Sequence, residues 1–202
     1  RSPPVKSVTM KRCRISTFAR FGSNSDRDED SADPPVAPLV PDGPLAATNN
    51  DWYGFTQFEA VDARQAFPCW DEPEFKIPWT LTLTVPQDQM VLANTPEASR
   101  TVEGGMATVG FKTSPPMPSY LVAFAVGPFE STPITGLSVP GRVITVKGQK
   151  GMTGEAVRMT PPILAALERY FGSAYPFEKL DLLSVPEYNW GAMENPGAIT
   201  FA

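Results

Sequence analysis

The chain has 202 residues, 22 acidic against 17 basic side chains, a formal net charge of -5 and a sequence pI near 4.8. That length can bury the core of one ordinary domain or two small ones, and the acidic balance argues against a nucleic-acid partner, because phosphate binding needs a basic surface. There is no histidine, and the two cysteines, Cys13 and Cys69, are too few for a disulfide scaffold and are read as free thiols, Cys69 as a buried one.

Residues 1–48 form a tail of distinct character. Six basic residues from Arg1 to Arg20 precede any acid, Asp26 to Asp30 reverses the sign, and Pro34, Pro35, Pro38, Pro41 and Pro44 follow. So polar and proline-rich a run cannot bury enough apolar surface to offset its ordering entropy, and a disordered tail is expected ahead of an organelle transit peptide.

From Trp52 to Asp71 aromatic residues alternate with charges, which fits a half-buried strand and turn in which Arg64 pairs with a neighbouring acid. Gln57 and Glu59 are spaced by two, so on a strand they project from one face. Residues 49–147 read as a partial β domain. Trp79 to Val85 alternates apolar residues with threonine; Met90 to Thr95, Ala107 to Phe111 and Arg142 to Val146 are further strands; Gly104-Gly105 suits a hairpin turn. Tyr120 to Val126 is apolar throughout and is expected to be a strand buried on both faces.

Glycine and lysine between Lys147 and Gly154 mark a boundary, placing a second unit at 148–202. Within it Thr160 can cap a helix that Pro161 opens and Gly172 ends. Ile163, Leu164, Leu167, Tyr170 and Phe171 make its core-facing stripe, and residues 155–159 form a short helical piece before a proline kink. No segment is long and apolar enough to span a bilayer.

Leu180 to Val185 is a strand that leads into Gly191-Ala192-Met193-Glu194-Asn195. Small residues around one isolated carboxylate let a ligand's backbone approach while Glu194 offers two acceptor oxygens to a cation such as an ammonium group. Taken alone, a solvated turn bearing one surface charge explains the same residues.

Those five residues resemble the exopeptidase signature of the zinc aminopeptidases related to aminopeptidase N, which are gluzincin metallopeptidases, and Tyr188 to Phe201 resembles its flanks. Thr56 to Pro73 is similar to a second block of that family, in the same order. The resemblance implies a mostly β amino-terminal domain followed by the start of an α/β, thermolysin-like catalytic domain. It implies peptide substrates with a free amino terminus, whose ammonium group Glu59 and Glu194 bind. Gln57 would line the first side-chain pocket, and Gly191, Ala192, Met193, Glu194 and Asn195 form the edge along which the peptide lies. An epoxide hydrolase of the related leukotriene branch ranks lower on Glu59 and on Asp71-Glu72-Pro73.

The family also implies zinc as cofactor, held by an H-E-x-x-H helix and a further acid, and this chain has no imidazole for that site. The expectation is therefore a fragment ending before the zinc helix, with no catalytic residue of its own and no activity alone. The other reading is a non-catalytic β module of the same descent that binds peptides or proteins. Compartment does not follow from the sequence.

Overall fold

The computed structural model describes residues 19–20, 51–186, 188 and 190–202. Apart from Ala19–Arg20, the tail expected at 1–48 lies outside the described residues, as does Cys13. The described chain is mostly β, with two α-helices and three sheets.

The first sheet has the order β1-β2-β7-β4, where β1 is Ala19–Arg20, β2 Trp52–Phe55, β4 Met90–Ala93 and β7 Phe124–Gly127. The second is an antiparallel three-stranded sheet of β3 (Thr82–Pro86), β6 (Met106–Phe111) and β5 (Glu97–Glu103). Gly104 and Gly105, at φ 57° and 79°, close the β5–β6 hairpin in the left-handed conformation that its tight turn needs. The seven residues of β5 are all exposed, so no apolar alternation announced this strand; its ladder with β6 sustains it. Trp79 to Leu81, expected as strand, pair irregularly, because the Trp79 amide bonds the Ser114 hydroxyl (3.0 Å) in place of a carbonyl.

The first sheet is apolar on both faces, and alternation along its strands shows why. Val91, Ala93, Phe124 and Val126 join Leu83, Val85, Val109 and Phe111 of the second sheet in one core. Tyr53, Phe55, Leu92 and Ala125 join Ile144, Leu183, Met193 and Ala198 in another. The doubly buried strand expected within Tyr120 to Val126 is β7; ahead of it Ser119–Leu121 tightens into a 3-10 turn.

The third sheet runs β11-β12-β10-β9-β8, with β8 Glu130–Ile134, β9 Gly141–Thr145, β10 Leu180–Ser184, β11 Ala192–Met193 and β12 Ala198–Phe201. β10 lies parallel to both β9 and β12. Sheet pairing thus crosses the compositional break at 147–154: β8 and β9 precede it and share a sheet with strands that follow it.

The long helix α2 spans Gly154–Phe171, joining the short piece expected at 155–159 and the helix expected from Thr160 into one; α1 is the single turn Ala63–Ala66. Thr153 occupies the cap position, and the helix runs on through Pro161 and Pro162. Thr160 turns its hydroxyl back onto the Ala156 carbonyl (2.6 Å), as threonine does inside a helix. Of the expected core stripe only Leu164 is buried; Ile163, Leu167, Tyr170 and Phe171 stay exposed. With Leu180, Leu182, Ile199 and Phe201 the helix lines an open apolar groove of about 630 Å³. No helix among the described residues is long and apolar enough to cross a membrane.

Candidate functional site

Gln57 and Glu59 do not share a strand face. β2 ends at Phe55, and Glu59 opens a turn closed by the Asp62 amide on the Phe58 carbonyl (3.0 Å). The turn forms because Phe58 is drawn into the first core, where its ring meets Phe67 edge-on at 5.7 Å. Half-buried Gln57 and exposed Glu59 are thereby left on its outer side.

Gln57 nevertheless meets the signature directly. Its Nε2 lies 3.4 Å from the Met193 sulfur, and its Oε1 accepts the Tyr188 hydroxyl at 2.6 Å. Met193 is buried at 1% exposure in the second core, which makes it the anchor of the segment, while Gly191, Ala192 and Glu194 remain exposed. Asn195 is buried, its Nδ2 donating to the Thr200 hydroxyl at 3.5 Å. β11 is the edge of its sheet, paired on one side with β12.

Tyr188, which sequence reading treated only as flanking residue, stands at the centre of this constellation. Burial pushes its hydroxyl up to about 12, and the charges of Glu59 and then Glu194 push the same way. A neutral phenol keeps its proton and goes on donating to Gln57, whereas a phenolate between two carboxylates is disfavoured. In ultraviolet titration at about pH 10.5, wild type and Tyr188→Phe should therefore show nearly equal tyrosinate absorbance, since a group titrating near 12 is then ionised only to a few per cent. A loss of about one full tyrosinate in the variant would contradict that environment. The linked stability is present below the ordinary tyrosine pKa of about 10 and falls as pH rises from there through about 12.

Arg64 pairs with an acid, as expected: its amide and Nε reach Asp71 Oδ2 at 3.0 and 3.3 Å, while the Ser119 hydroxyl donates to Asp71 Oδ1. Buried Asp71 thus braces the turn against the 3-10 segment before β7. Cys69 is free and half-buried, beside the first core.

No group of three His, Cys, Asp or Glu side chains among the described residues could hold a metal ion, and the sequence has no histidine. The residues present therefore do not fit the family's zinc.

Residues 46–121 match the Peptidase M1 N-terminal domain and residues 155–202 the Peptidase family M1 domain. The chain is 42% identical over 149 residues to Aminopeptidase M1-B of Oryza sativa subsp. japonica, covering 72% of this chain and 17% of that protein. It is 40% identical over 149 residues to the puromycin-sensitive aminopeptidase of Caenorhabditis elegans (72% and 16%). It is 36% identical over 148 residues to aminopeptidase N of Acetobacter pasteurianus (72% and 42%). The chain belongs to peptidase family M1, the family of aminopeptidase N. It spans about 17% of the length of its rice relatives.

Proposed function

We propose that this chain is the substrate-recognition part of a zinc-dependent aminopeptidase that removes amino-terminal residues from peptides. Glu59 and Glu194 hold the substrate's ammonium group, Gln57 borders the first side-chain pocket, and the free edge of β11, with Gly191 to Asn195, takes up peptide backbone by strand addition. The observation that carries this reading is the contact of Gln57 with the signature segment, its Nε2 3.4 Å from the Met193 sulfur and its Oε1 accepting the Tyr188 hydroxyl at 2.6 Å, which sets the chain just before Glu59 against the chain just before Glu194. Two carboxylates with no ion pair among the described residues suit a ligand that brings a positive charge. Fixing the ammonium sets a ruler: the first peptide bond is held at a constant distance from the recognition site, whichever side chain precedes it.

The direct test compares L-leucinamide with N-acetyl-L-leucinamide, followed through the fluorescence of Trp190, which is exposed beside Gly191. The free amine should bind and the acetylated one should not, and Glu59→Gln with Glu194→Gln should abolish the difference. Equal binding of both ligands by the parent would refute the ammonium site.

The absence of histidine favours, as second reading, a module that recognises peptides without cleaving them. For the chain on its own both readings give one expectation: no stoichiometric zinc by elemental analysis and no hydrolysis of leucine p-nitroanilide, because scattered carboxylates and two thiols are a poor substitute for a tetrahedral site. Bound zinc, with activity lost on chelation, would overturn it. Extending the chain through the rest of an M1 catalytic domain separates the two readings, since only the first expects that enzyme to need Glu59 and Glu194.

A further inference from the structure

Asn94 directly follows β4 and is 1% exposed. Its Nδ2 donates to the carbonyls of Leu121 (2.8 Å) and Pro196 (2.9 Å), and its Oδ1 accepts the Ala123 amide at 2.7 Å. One buried carboxamide therefore spends both donors and its acceptor on the backbone of two segments remote from each other in sequence. Replacing it leaves three backbone groups, one buried and two part-buried, without that partner.

Both segments lead to the candidate site. Pro196 stands two residues after Glu194, and the following Gly197 lies so close that a Cβ there would sit 2.0 Å from the Asn94 carbonyl oxygen. Gly197 has φ 72°, donates its amide to the Tyr175 hydroxyl (3.0 Å), and accepts at its carbonyl from the Asp181 amide (3.1 Å) and from Lys179. On the other side, Phe124 exchanges two bonds with Thr56, its amide donating to Thr56 Oγ1 (3.1 Å) and its carbonyl accepting from the Thr56 amide (3.2 Å). Thr56 stands three residues before Glu59.

We propose that Asn94 is a positioning residue that sets the spacing between Glu59 and Glu194, by tying the loop after Glu194 to the stretch of chain that also holds Thr56. The proposal rests on the ammonium reading above. Asn94 itself is buried and acts through the two carboxylates. It converts two exposed acids, Glu59 on a turn and Glu194 just after β11, into a pair held at one separation.

The test uses the purified chain with Asn94→Asp, which keeps an acceptor for Ala123 and loses both donors, and with Gly197→Ala, which forces the loop away from the Asn94 carbonyl. Amide hydrogen exchange by mass spectrometry and the dissociation constant for L-leucinamide are measured on each. Exchange over residues 192–198 should speed by about tenfold while residues 82–111 keep their parental protection, and leucinamide binding should weaken by about tenfold. In a Glu194→Ala background, neither variant should weaken binding further. Unchanged exchange at 192–198, equal loosening throughout the chain, an additive loss on top of Glu194→Ala, or failure of both variants to melt cooperatively would each overturn the positioning role. If the parent does not prefer leucinamide to its acetylated form, the ammonium reading fails by itself. The exchange measurement, which needs no ligand, then still decides whether Asn94 places the Glu194 loop.

Discussion

Glu194→Ala, in an enzyme completed by extending this chain through the rest of an M1 catalytic domain, is expected to lower kcat/KM for free-amine peptides roughly 10- to 150-fold. A hydrogen bond to a charged partner is worth about 1.5–3 kcal/mol, and each 1.4 kcal/mol is about tenfold. Glu194 is exposed before ligand arrives, so its loss does not strand a buried charge and the larger penalties of fully desolvated pairs do not apply. The loss should be selective. Substrates with an acetylated amino terminus have no ammonium to lose and should change little, and zinc content should stay constant. Glu59→Ala acts on the same ammonium, so the double variant should lose less than the product of the single losses. Free-amine peptides turned over as fast as by the parent would leave Glu194 a solvated surface charge.

Asp181→Ala should produce the largest loss of stability, about 3–5 kcal/mol, the range for breaking a buried ion pair from one side. Asp181 is 1% exposed and accepts two bonds from Arg142 (2.9 and 2.7 Å) and one from Lys179 at 2.9 Å. Lys179 is itself buried, and that burial already lowers its pKa against the pull of Asp181. A lysine whose folded pKa lies below its unfolded value binds fewer protons when folded. Stability therefore rises as pH climbs from the depressed value toward the ordinary one of about 10.4, where the unfolded chain also becomes neutral. In Asp181→Ala the counter-charge is gone, so the deficit measured by urea unfolding should be greatest near neutrality and shrink toward pH ~10. Adding Lys179→Met removes the stranded charge and should recover much of the loss. A deficit independent of pH and untouched by Lys179→Met would mean that Asp181 contributes by packing alone.

This ion cluster also bears on the site. Lys179 bonds the Gly197 carbonyl, so the charge that stabilises β9 against β10 also secures the loop after Glu194. The stability of this sheet and the position of the loop after Glu194 are therefore coupled through backbone.

By itself the sequence determined the β character of the chain, the hairpin at Gly104-Gly105, the helix stop at Gly172 and membership of the aminopeptidase family. Each rests on a signal confined to a few neighbouring residues: alternation along Leu81 to Val85, paired glycines, a glycine after an amphipathic run, a run of motif residues. Tertiary structure decided what depends on contacts between distant segments. Glu97–Glu103 is a strand because β6 offers it a ladder, although its own side chains are all exposed. α2 runs unbroken from Gly154 through two prolines, where local chemistry alone placed a short helical piece at 155–159 and a second start at Thr160. Glu59 leaves the face of Gln57 because burial of Phe58 bends the chain into a turn, whereas a spacing of two suggested a shared strand face. Asn94 and Tyr188 drew no notice as sites, since a single asparagine or tyrosine carries no pattern. Only folding brings a carboxamide onto the Pro196 carbonyl and a phenol onto the Gln57 carboxamide. Hydrophobic periodicity is local and can be read along the chain, but a buried hydrogen bond between residues a hundred positions apart exists only once both ends have been packed.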